Sequence, residues 1–149
     1  MKNSPEKKIR CYCDKDEKQV VALWHSCKLI RSWNDPRLDI ERKKGIQASL
    51  FLVAELDGRI IGSIMGGYEG HRGVINYLAV DPEYRRQGLA TELVSIVEKR
   101  LKGLGCPKIN LLVRTDNSEV EKFYTQLHFR KQEDVLVFGK RLISDEKED

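Results

Sequence analysis

The stretch Val80-Asp-Pro-Glu-Tyr-Arg-Arg-Gln-Gly-Leu-Ala90 joins a buried strand to the clearest amphipathic helix of the sequence. The strand ends at Asp81-Pro82, and the helix begins directly after Gly88. A helix start exposes unpaired N–H groups and the positive end of the helix dipole. Gly88 has no side chain to keep an anion from the backbone, and Arg85 and Arg86 add positive charge. The stretch favours a phosphate or pyrophosphate site, and a solvated basic turn is the alternative.

Two common phosphate-binding motifs are absent from the sequence. It contains neither GxxxxGK[ST], which marks nucleotide-binding P-loops, nor GxGxxG, which marks dinucleotide-binding folds. A phosphate site after Val80 would therefore belong to another class.

The composition indicates one globular domain. The chain has 149 residues and 17.2 kDa, with 40% apolar and 34% charged residues, which is too apolar for a disordered chain. No apolar run approaches the roughly 20 residues needed to cross a bilayer, so we expect no membrane partner. The first residues lack an apolar signal segment, which predicts a cytoplasmic location.

Charge and cysteine usage exclude further classes. The net charge is +4, and residues 82–108 hold six basic and three acidic side chains, an excess of +3 beside the proposed phosphate site. A nucleic-acid binder usually has a broader basic stripe, so we expect no nucleic-acid partner. The four cysteines form no CxxC pair or Cys/His ligand spacing, which predicts reduced thiols and no metal.

The hydrophobic pattern predicts a mixed α/β chain. Expected strands are Ile9–Cys13, Leu50–Leu56, Arg59–Gly66, Val74–Val80, Lys108–Val113 and Val135–Phe138, and helices start near Asp16, Asp35, Leu89 and Asn117. Asp57-Gly58 is a strong hairpin signal between the second and third strands. Capping-box spacings at Asp16–Gln19 and Ser118–Glu121, and a cap at Asp35, mark helix starts. We expect a domain at residues 9–143, a disordered tail at 1–8 and an acidic tail at 144–149.

Two motifs resemble those of GNAT-superfamily N-acetyltransferases. Arg85-x-x-Gly88-x-Ala90, after Tyr77-Leu-Ala-Val80-Asp-Pro, is similar to the family's acetyl-CoA pyrophosphate motif. Asn117, Phe123-Tyr124 and Leu127-x-Phe129 resemble its second signature. The element order agrees from Ile9 to Leu142, nearly the whole chain. The resemblance implies one GNAT-like domain with a mixed, mostly antiparallel sheet of six to seven strands and about four helices.

The resemblance also implies a site for acetyl-CoA. Backbone groups of Leu78, Ala79 and Val80 would pair with the pantetheine arm, and Asn117 would contact that arm. Tyr124 matches the general acid that protonates the departing thiolate. The residues that correspond to the pyrophosphate loop and its arginines are Arg85, Arg86, Gln87, Gly88, Leu89, Ala90 and Thr91.

Several of these side chains could have purely structural roles. Tyr124 lies on an apolar helix stripe and could pack in the core, and Asn117 could cap its helix. On the acceptor side, Glu69 is a candidate general base, with a water chain as the alternative. His71, Trp33 and Asn34 are candidate acceptor contacts, although exposed loop residues and packed aromatics often have no such role.

Two positions depart from the family pattern. His128 stands where the family commonly has the glycine of a left-handed helix end, a conformation that histidine adopts at some cost. Leu112 stands where ribosomal-protein alanine acetyltransferases have a glutamate base, which puts that specificity in doubt.

The resulting hypothesis is an acetyl-CoA-dependent N-acetyltransferase that acts by direct attack of a primary amine in a ternary complex. The acceptor could be a small amine, an antibiotic, a lysine side chain or a peptide N-terminus. The chain could be a monomer or a homodimer. The alternative is a non-catalytic acyl-CoA-binding or regulatory module of the same fold.

Overall fold

A computed structural model describes residues 6–146, so residues 1–5 and 147–149 of the two predicted tails lie outside the described residues. The strands are β1 (Lys8–Cys11), β2 (Phe51–Leu56), β3 (Arg59–Tyr68) and β4 (Gly73–Val80), and the helices are α1 (Glu17–Ser26), α2 (Pro36–Lys43), α3 (Leu89–Gly103) and α4 (Ser118–Gln126). The four strands form one antiparallel sheet in the order β1-β2-β3-β4. The predicted mixed α/β fold with four helices is confirmed.

The hairpin between β2 and β3 follows the Asp57-Gly58 signal. Both residues have positive φ, 50° for Asp57 and 76° for Gly58. Two consecutive left-handed residues make a type I′ turn, whose twist matches that of the flanking strands. This turn sets the register that pairs Leu56 with Arg59.

The sheet buries an apolar cluster on each face. On one face, α3 packs Leu93 and Val97 against the sheet, and both side chains are fully buried. Gly62 and Gly66 of β3 allow this approach, since a Cβ at Gly66 would lie 2.9 Å from a Val97 methyl group. The opposite face is covered by α1 and α2, with Trp24 at its centre.

The first two helices start differently: α2 has a side-chain cap, and α1 has none. Asp35 accepts hydrogen bonds from the N–H groups of Arg37 (2.9 Å) and Leu38 (3.3 Å), so the predicted cap of α2 is confirmed. The predicted capping box between Asp16 and Gln19 is wrong. The buried Asp16 carboxylate instead accepts two bonds from Arg10, and Gln19 accepts one from the backbone N–H of Ile60.

The prediction of six to seven strands is wrong for the described residues, whose sheet has four. The Lys108–Val113 segment meets the sheet at a single parallel bridge between Gly73 and Ile109 and then continues without a ladder. The Val135–Phe138 segment is also not a strand, and its side chains are 63–90% exposed. An apolar, β-prone run becomes a strand only where a neighbouring edge accepts its hydrogen bonds, and that partner cannot be deduced from the run itself.

Within residues 6–146, we find no helix with the length and apolar character required to cross a membrane.

Candidate active site

The free edge of β4 is the first component of the site. Backbone bonds join Gly73 to Lys108 (2.8 Å) and to Asn110 (2.9 Å). Beyond that point, no backbone hydrogen bond among residues 6–146 joins β4 to the 109–113 segment, although Leu111 and Val113 pack partly against the core. β4 is therefore an edge strand over the part that contains the predicted residues Leu78, Ala79 and Val80. Such an edge can pair with an extended ligand as an added strand.

A bulge interrupts β4 just before these residues. Ser63 pairs with Ala79 and Met65 with Asn76, so Tyr77 and Leu78 together oppose Ile64. Tyr77 has a φ of 51°, in the left-handed region that non-glycine residues seldom occupy. Residues held there cost about 1–3 kcal/mol and are often found at functional sites. The bulge re-aims the backbone of Leu78 relative to a regular strand.

The loop after β4 is ordered by its own polar contacts. Asp81 accepts a bond from Glu83 N–H (2.9 Å) and pairs with Arg59 (3.0 Å). The Arg85 Nε donates to the Val80 carbonyl (3.1 Å), which holds this side chain at the end of the strand. Arg86 and Gln87 are exposed and make no side-chain hydrogen bond within residues 6–146. Both predicted loop cations therefore lie at one end of β4, Arg85 bonded to the strand and Arg86 exposed.

The N-terminus of α3 follows directly. Gly88 is its N-cap residue with φ 80°, and no side chain caps the first turn, which contains Leu89, Ala90 and Thr91. A Cβ added at Gly88 would meet no atom within 4 Å, so the space over the helix start is open. Uncapped N–H groups and the positive end of the dipole of a 15-residue helix suit an anion here.

Tyr124 is placed by α4 against the same apolar cluster as α3. It is 8% exposed, and Phe123 and Phe129 contact its ring edge-on, with ring centres 5.1 and 5.2 Å away. Its hydroxyl makes no hydrogen bond within residues 6–146, and burial raises the pKa of Tyr124 to about 12. The side chain thus has the core packing considered from the sequence, and its hydroxyl stays protonated at neutral pH.

Asn117 and His128 lie at the two ends of α4. Asn117 Oδ1 accepts a bond from Val120 N–H (3.2 Å), so it is the helix cap, and the predicted Ser118–Glu121 capping box is wrong. The Asn117 amide nitrogen makes no hydrogen bond within the described part of the chain. His128 has a φ of 71°, the left-handed helix end expected at this position.

The candidate base Glu69 lies in the bend between β3 and β4, next to His71. One Glu69 carboxylate oxygen accepts bonds from the N–H groups of Arg72 and His71, the latter at 2.8 Å. These bonds lower the pKa of Glu69, which stabilises its charged form. Both residues are exposed and precede β4, whereas the loop after Val80 lies at the other end of this strand.

The loop between α1 and α2 brings Trp33 and Asn34 next to the C-terminal half of the chain. The Arg114 guanidinium lies 5.5 Å from the centre of the Trp33 ring, and Trp33 is 41% exposed. Arg141 donates a 2.9 Å hydrogen bond to Asn34. A cation over an aromatic face stabilises the pair by about 0.5–1 kcal/mol at exposed sites. The sequence pattern contains no signal for these two arginines, because both contacts span more than 80 residues.

The last described residues contact the start and end of α2. Asp145 accepts two bonds from Arg42 (2.6 and 3.2 Å) and one from Asp35 N–H (3.0 Å). The Arg42 bonds, together with that backbone bond, lower the pKa of Asp145 to about 2. This carboxylate therefore ties the C-terminal segment to the helix that follows Trp33 and Asn34.

Comparison with known proteins decides the family. Residues 13–129 match the model of the acetyltransferase (GNAT) family, which is most of the chain. The chain belongs to the GNAT family. It is 52% identical over 139 residues to an acetyltransferase of Sodalis glossinidius and 50% identical over 139 residues to one of Yersinia pseudotuberculosis, in each case over 93% of this chain and 98% of the relative. This GNAT chain is accordingly an acyltransferase.

Solved GNAT structures share the fold. The aminoglycoside N-acetyltransferase AAC(6')-Iy in complex with CoA superposes with a TM-score of 0.74 at 20% identity, over 95% of this chain and 99% of that one. The ribosomal-protein-S18-alanine N-acetyltransferase from Escherichia coli gives a TM-score of 0.72 at 17% identity, over 85% of this chain and 79% of that one.

Among residues 6–146 of the GNAT chain, no three His, Cys, Asp or Glu side chains are grouped as a metal site would need.

Proposed function

We propose that the chain transfers an acetyl group from acetyl-CoA to a primary amine by direct attack in a ternary complex. One observation carries the proposal: the free, bulged edge of β4 is followed, after the loop at residues 81–88, by an uncapped helix N-terminus. An extended ligand with a diphosphate at one end matches both parts. A protein of similar fold supports the choice of ligand, since AAC(6')-Iy is described both in complex with CoA and in complex with the bisubstrate analogue CoA-S-monomethyl-acetylneamine.

The residues after β4 fit the phosphate end of this ligand. The N–H groups of the first turn of α3 are the proposed donors to the diphosphate, with the exposed Arg86 as the cation beside them. Gly88 supports this arrangement because its missing side chain leaves the approach to the backbone open. Gln87 and Thr91 are the proposed neutral contacts, and Asn117 offers its free amide nitrogen to the arm of the ligand.

Acetyl-CoA supplies the acetyl group in activated form, as a thioester. The backbone N–H groups of Leu78, Ala79 and Val80 are the proposed donors to the thioester carbonyl and the pantetheine amides. A donor fixed by the fold stabilises the charge that develops on a carbonyl oxygen without reorganising during the reaction. The bulge at Tyr77 supports this role, because it turns the following backbone out of the regular pleat.

Tyr124 is the proposed acid that delivers a proton to the leaving sulfur. Its raised pKa, about 12, keeps the proton on the hydroxyl at neutral pH, and that hydroxyl has no competing acceptor in residues 6–146. The two contacting rings, Phe123 and Phe129, hold its orientation. The acceptor amine must lose a proton in the same reaction, and Glu69 is the candidate base, with a water chain to solvent as the alternative. The bonds from Arg72 and His71 lower the basicity of Glu69.

Trp33, Asn34 and His71 remain the proposed acceptor contacts. Trp33 and His71 are both exposed, so an acceptor in solution could reach their side chains, which supports this assignment.

An acceptor screen with acetyl-CoA tests the proposal. Purified chain is mixed with acetyl-CoA and, separately, with an aminoglycoside, a peptide with a free N-terminal alanine, a peptide with an internal lysine, and free amino acids. Release of the CoA thiol is followed with a thiol-reactive dye, and the acetylated product is identified by mass spectrometry. Product with at least one amine supports the proposal.

Titration with CoA separates the remaining alternatives. Binding of acetyl-CoA without product from any amine would support the non-catalytic acyl-CoA-binding module. Absence of CoA binding would refute both the enzyme and the binding module.

A further inference from the structure

The conformation of Tyr77 raises the question of what holds it. A tyrosine in the left-handed region inside a strand is unstable on its own, because its Cβ crowds the neighbouring carbonyl oxygen. Such a residue persists only where the surroundings fix it by several contacts. The structure provides contacts to three separate parts of Tyr77: its carbonyl, its ring and its hydroxyl.

Ser63 fixes the carbonyl. The Ser63 hydroxyl donates to the Tyr77 carbonyl oxygen at 2.8 Å and accepts from the Trp24 indole N–H at 2.9 Å. Ser63 and Trp24 are both fully buried. A buried hydroxyl with donor and acceptor bonds in place is held in a single orientation, and so is the carbonyl to which it donates.

Trp24 and Asp39 fix the side chain. The Trp24 and Tyr77 rings stack with centres 3.7 Å apart and planes 10° apart. The Tyr77 hydroxyl donates to Asp39 Oδ2 at 2.5 Å. Burial and this hydrogen bond raise the pKa of Tyr77 well above its usual range, so the hydroxyl remains a donor at physiological pH. Asp39 lies on α2, and the three contacts therefore come from α1, β3 and α2.

We propose that Ser63, Trp24 and Asp39 act together as a bulge clamp that positions the β4 backbone for acyl transfer. The three are positioning residues, because they act on Leu78–Val80 through Tyr77. The inference rests on the proposed function, in which those backbone groups hold the thioester. Without the clamp, Tyr77 would relax to an extended conformation and the bulge would shift along β4. A displacement of about 1 Å at reacting groups can lower a rate by roughly 100-fold.

The test compares two variants that each remove two side-chain hydrogen bonds. Ser63→Ala removes the bonds of the Ser63 hydroxyl to the Tyr77 carbonyl and to the Trp24 indole N–H. Gln47→Ala is the matched control, because Gln47 bonds the N–H and carbonyl of Tyr68 (2.7 Å each) at the far end of β3. Ser63→Thr restores a hydroxyl, and Tyr77→Phe removes only the bond to Asp39. All are measured as full chains, with the unfolding temperature recorded for each.

Two readouts distinguish positioning from stability. Hydrogen–deuterium exchange of the 74–81 backbone should accelerate in Ser63→Ala and remain at the wild-type rate in Gln47→Ala. With the amine that turns over fastest in the screen, kcat of Ser63→Ala should fall about 10- to 100-fold while the KM for acetyl-CoA changes less than about threefold. Ser63→Thr should recover kcat at least in part, and Tyr77→Phe should show an intermediate loss.

The inference would be overturned if Ser63→Ala, still folded, exchanged its 74–81 amides at the wild-type rate or kept the wild-type kcat. Equal losses of kcat in Ser63→Ala and Gln47→Ala would overturn it as well, because they would reflect general destabilisation. If Ser63→Ala does not fold, Tyr77→Phe is compared with Gln47→Ala in the same two measurements. A wild-type chain that acetylates no amine refutes the proposed function separately, and the exchange measurement then still tests whether Ser63 holds the bulge.

Discussion

Replacing Gly88 by alanine should weaken CoA binding far more than it weakens the fold. The glycine has a φ of 80° at the start of α3, so an alanine there costs about 1–2 kcal/mol of stability. No protein atom lies within 4 Å of the added Cβ, so no clash with the fold adds to that cost. The methyl group would instead occupy the open space through which the CoA diphosphate approaches the backbone in the proposed complex.

The expected loss of affinity follows from the hydrogen bond that the methyl group displaces. A hydrogen bond to a charged group contributes about 1.5–3 kcal/mol. Losing one such bond corresponds to a Kd for CoA that is roughly 10- to 150-fold weaker. Calorimetric titration with CoA measures this change, and urea unfolding measures the stability.

The chain offers a matched control for this substitution at Gly58. Its φ is 76°, and a Cβ there also has no neighbour within 4 Å, but it lies in the β2–β3 turn. Gly58→Ala should lose a similar amount of stability and keep the wild-type Kd for CoA. A Gly88→Ala chain that binds CoA as tightly as the Gly58→Ala chain would refute the assignment of the phosphate site.

Three further changes have definite expected outcomes. Tyr124→Phe should lower kcat about 100- to 10,000-fold and leave the Kd for CoA unchanged, because only a proton donor is lost; an unchanged kcat would exclude it as the acid. Burial raises the pKa of Tyr124 from 10.0 to about 12, so the stability that the protonated hydroxyl contributes below pH 10 should be lost as the pH rises towards 12. Unfolding measured as a function of pH, with Tyr124→Phe as the control, tests this loss. Glu69→Gln should change kcat less than about threefold, since the charged carboxylate is already bound by the backbone; a loss of 100-fold would identify it as the base. Asp145→Asn should speed hydrogen exchange of residues 141–146. In the wild type, the Arg42–Asp145 contact should be lost as the pH falls from 3.8 towards 2, because the pKa of Asp145 is lowered. Identical exchange in both chains at pH 7 would show that Arg42 does not hold the segment.

The local parts of the fold could be predicted because their signals lie within a few residues. Asp57-Gly58 specifies its own turn, and Asp35-Pro36 specifies the start of α2. The loop at residues 81–88 has a local signal of the same kind, because the strand end, Arg85 and Arg86, and Gly88 lie close together in the sequence, and its phosphate-binding role stays a prediction. For these features, backbone conformation and capping chemistry decide the outcome without reference to the rest of the chain.

Features that depend on distant partners could not be predicted. The 108–113 and 135–138 runs have strand-forming residues, yet whether a sheet edge receives them is decided elsewhere in the chain. Asp16 has capping chemistry for α1, but two bonds from Arg10 and its burial direct the carboxylate away from the helix. Tyr77 is the clearest case, since a tyrosine in a strand gives no sign of positive φ until Ser63 is in place.

The contacts within the loop after β4 have a consequence for the entropy of binding. Asp81 is already bonded to Glu83 N–H and Arg59, and Arg85 already contacts the Val80 carbonyl. Ordering one long side chain on binding costs about 0.5–1.5 kcal/mol, and in this loop that cost falls mainly on Arg86 and Gln87. In the proposed complex with CoA, a loop held in this way would retain more of its gross interaction energy as affinity, because few of its side chains would have to be ordered on binding.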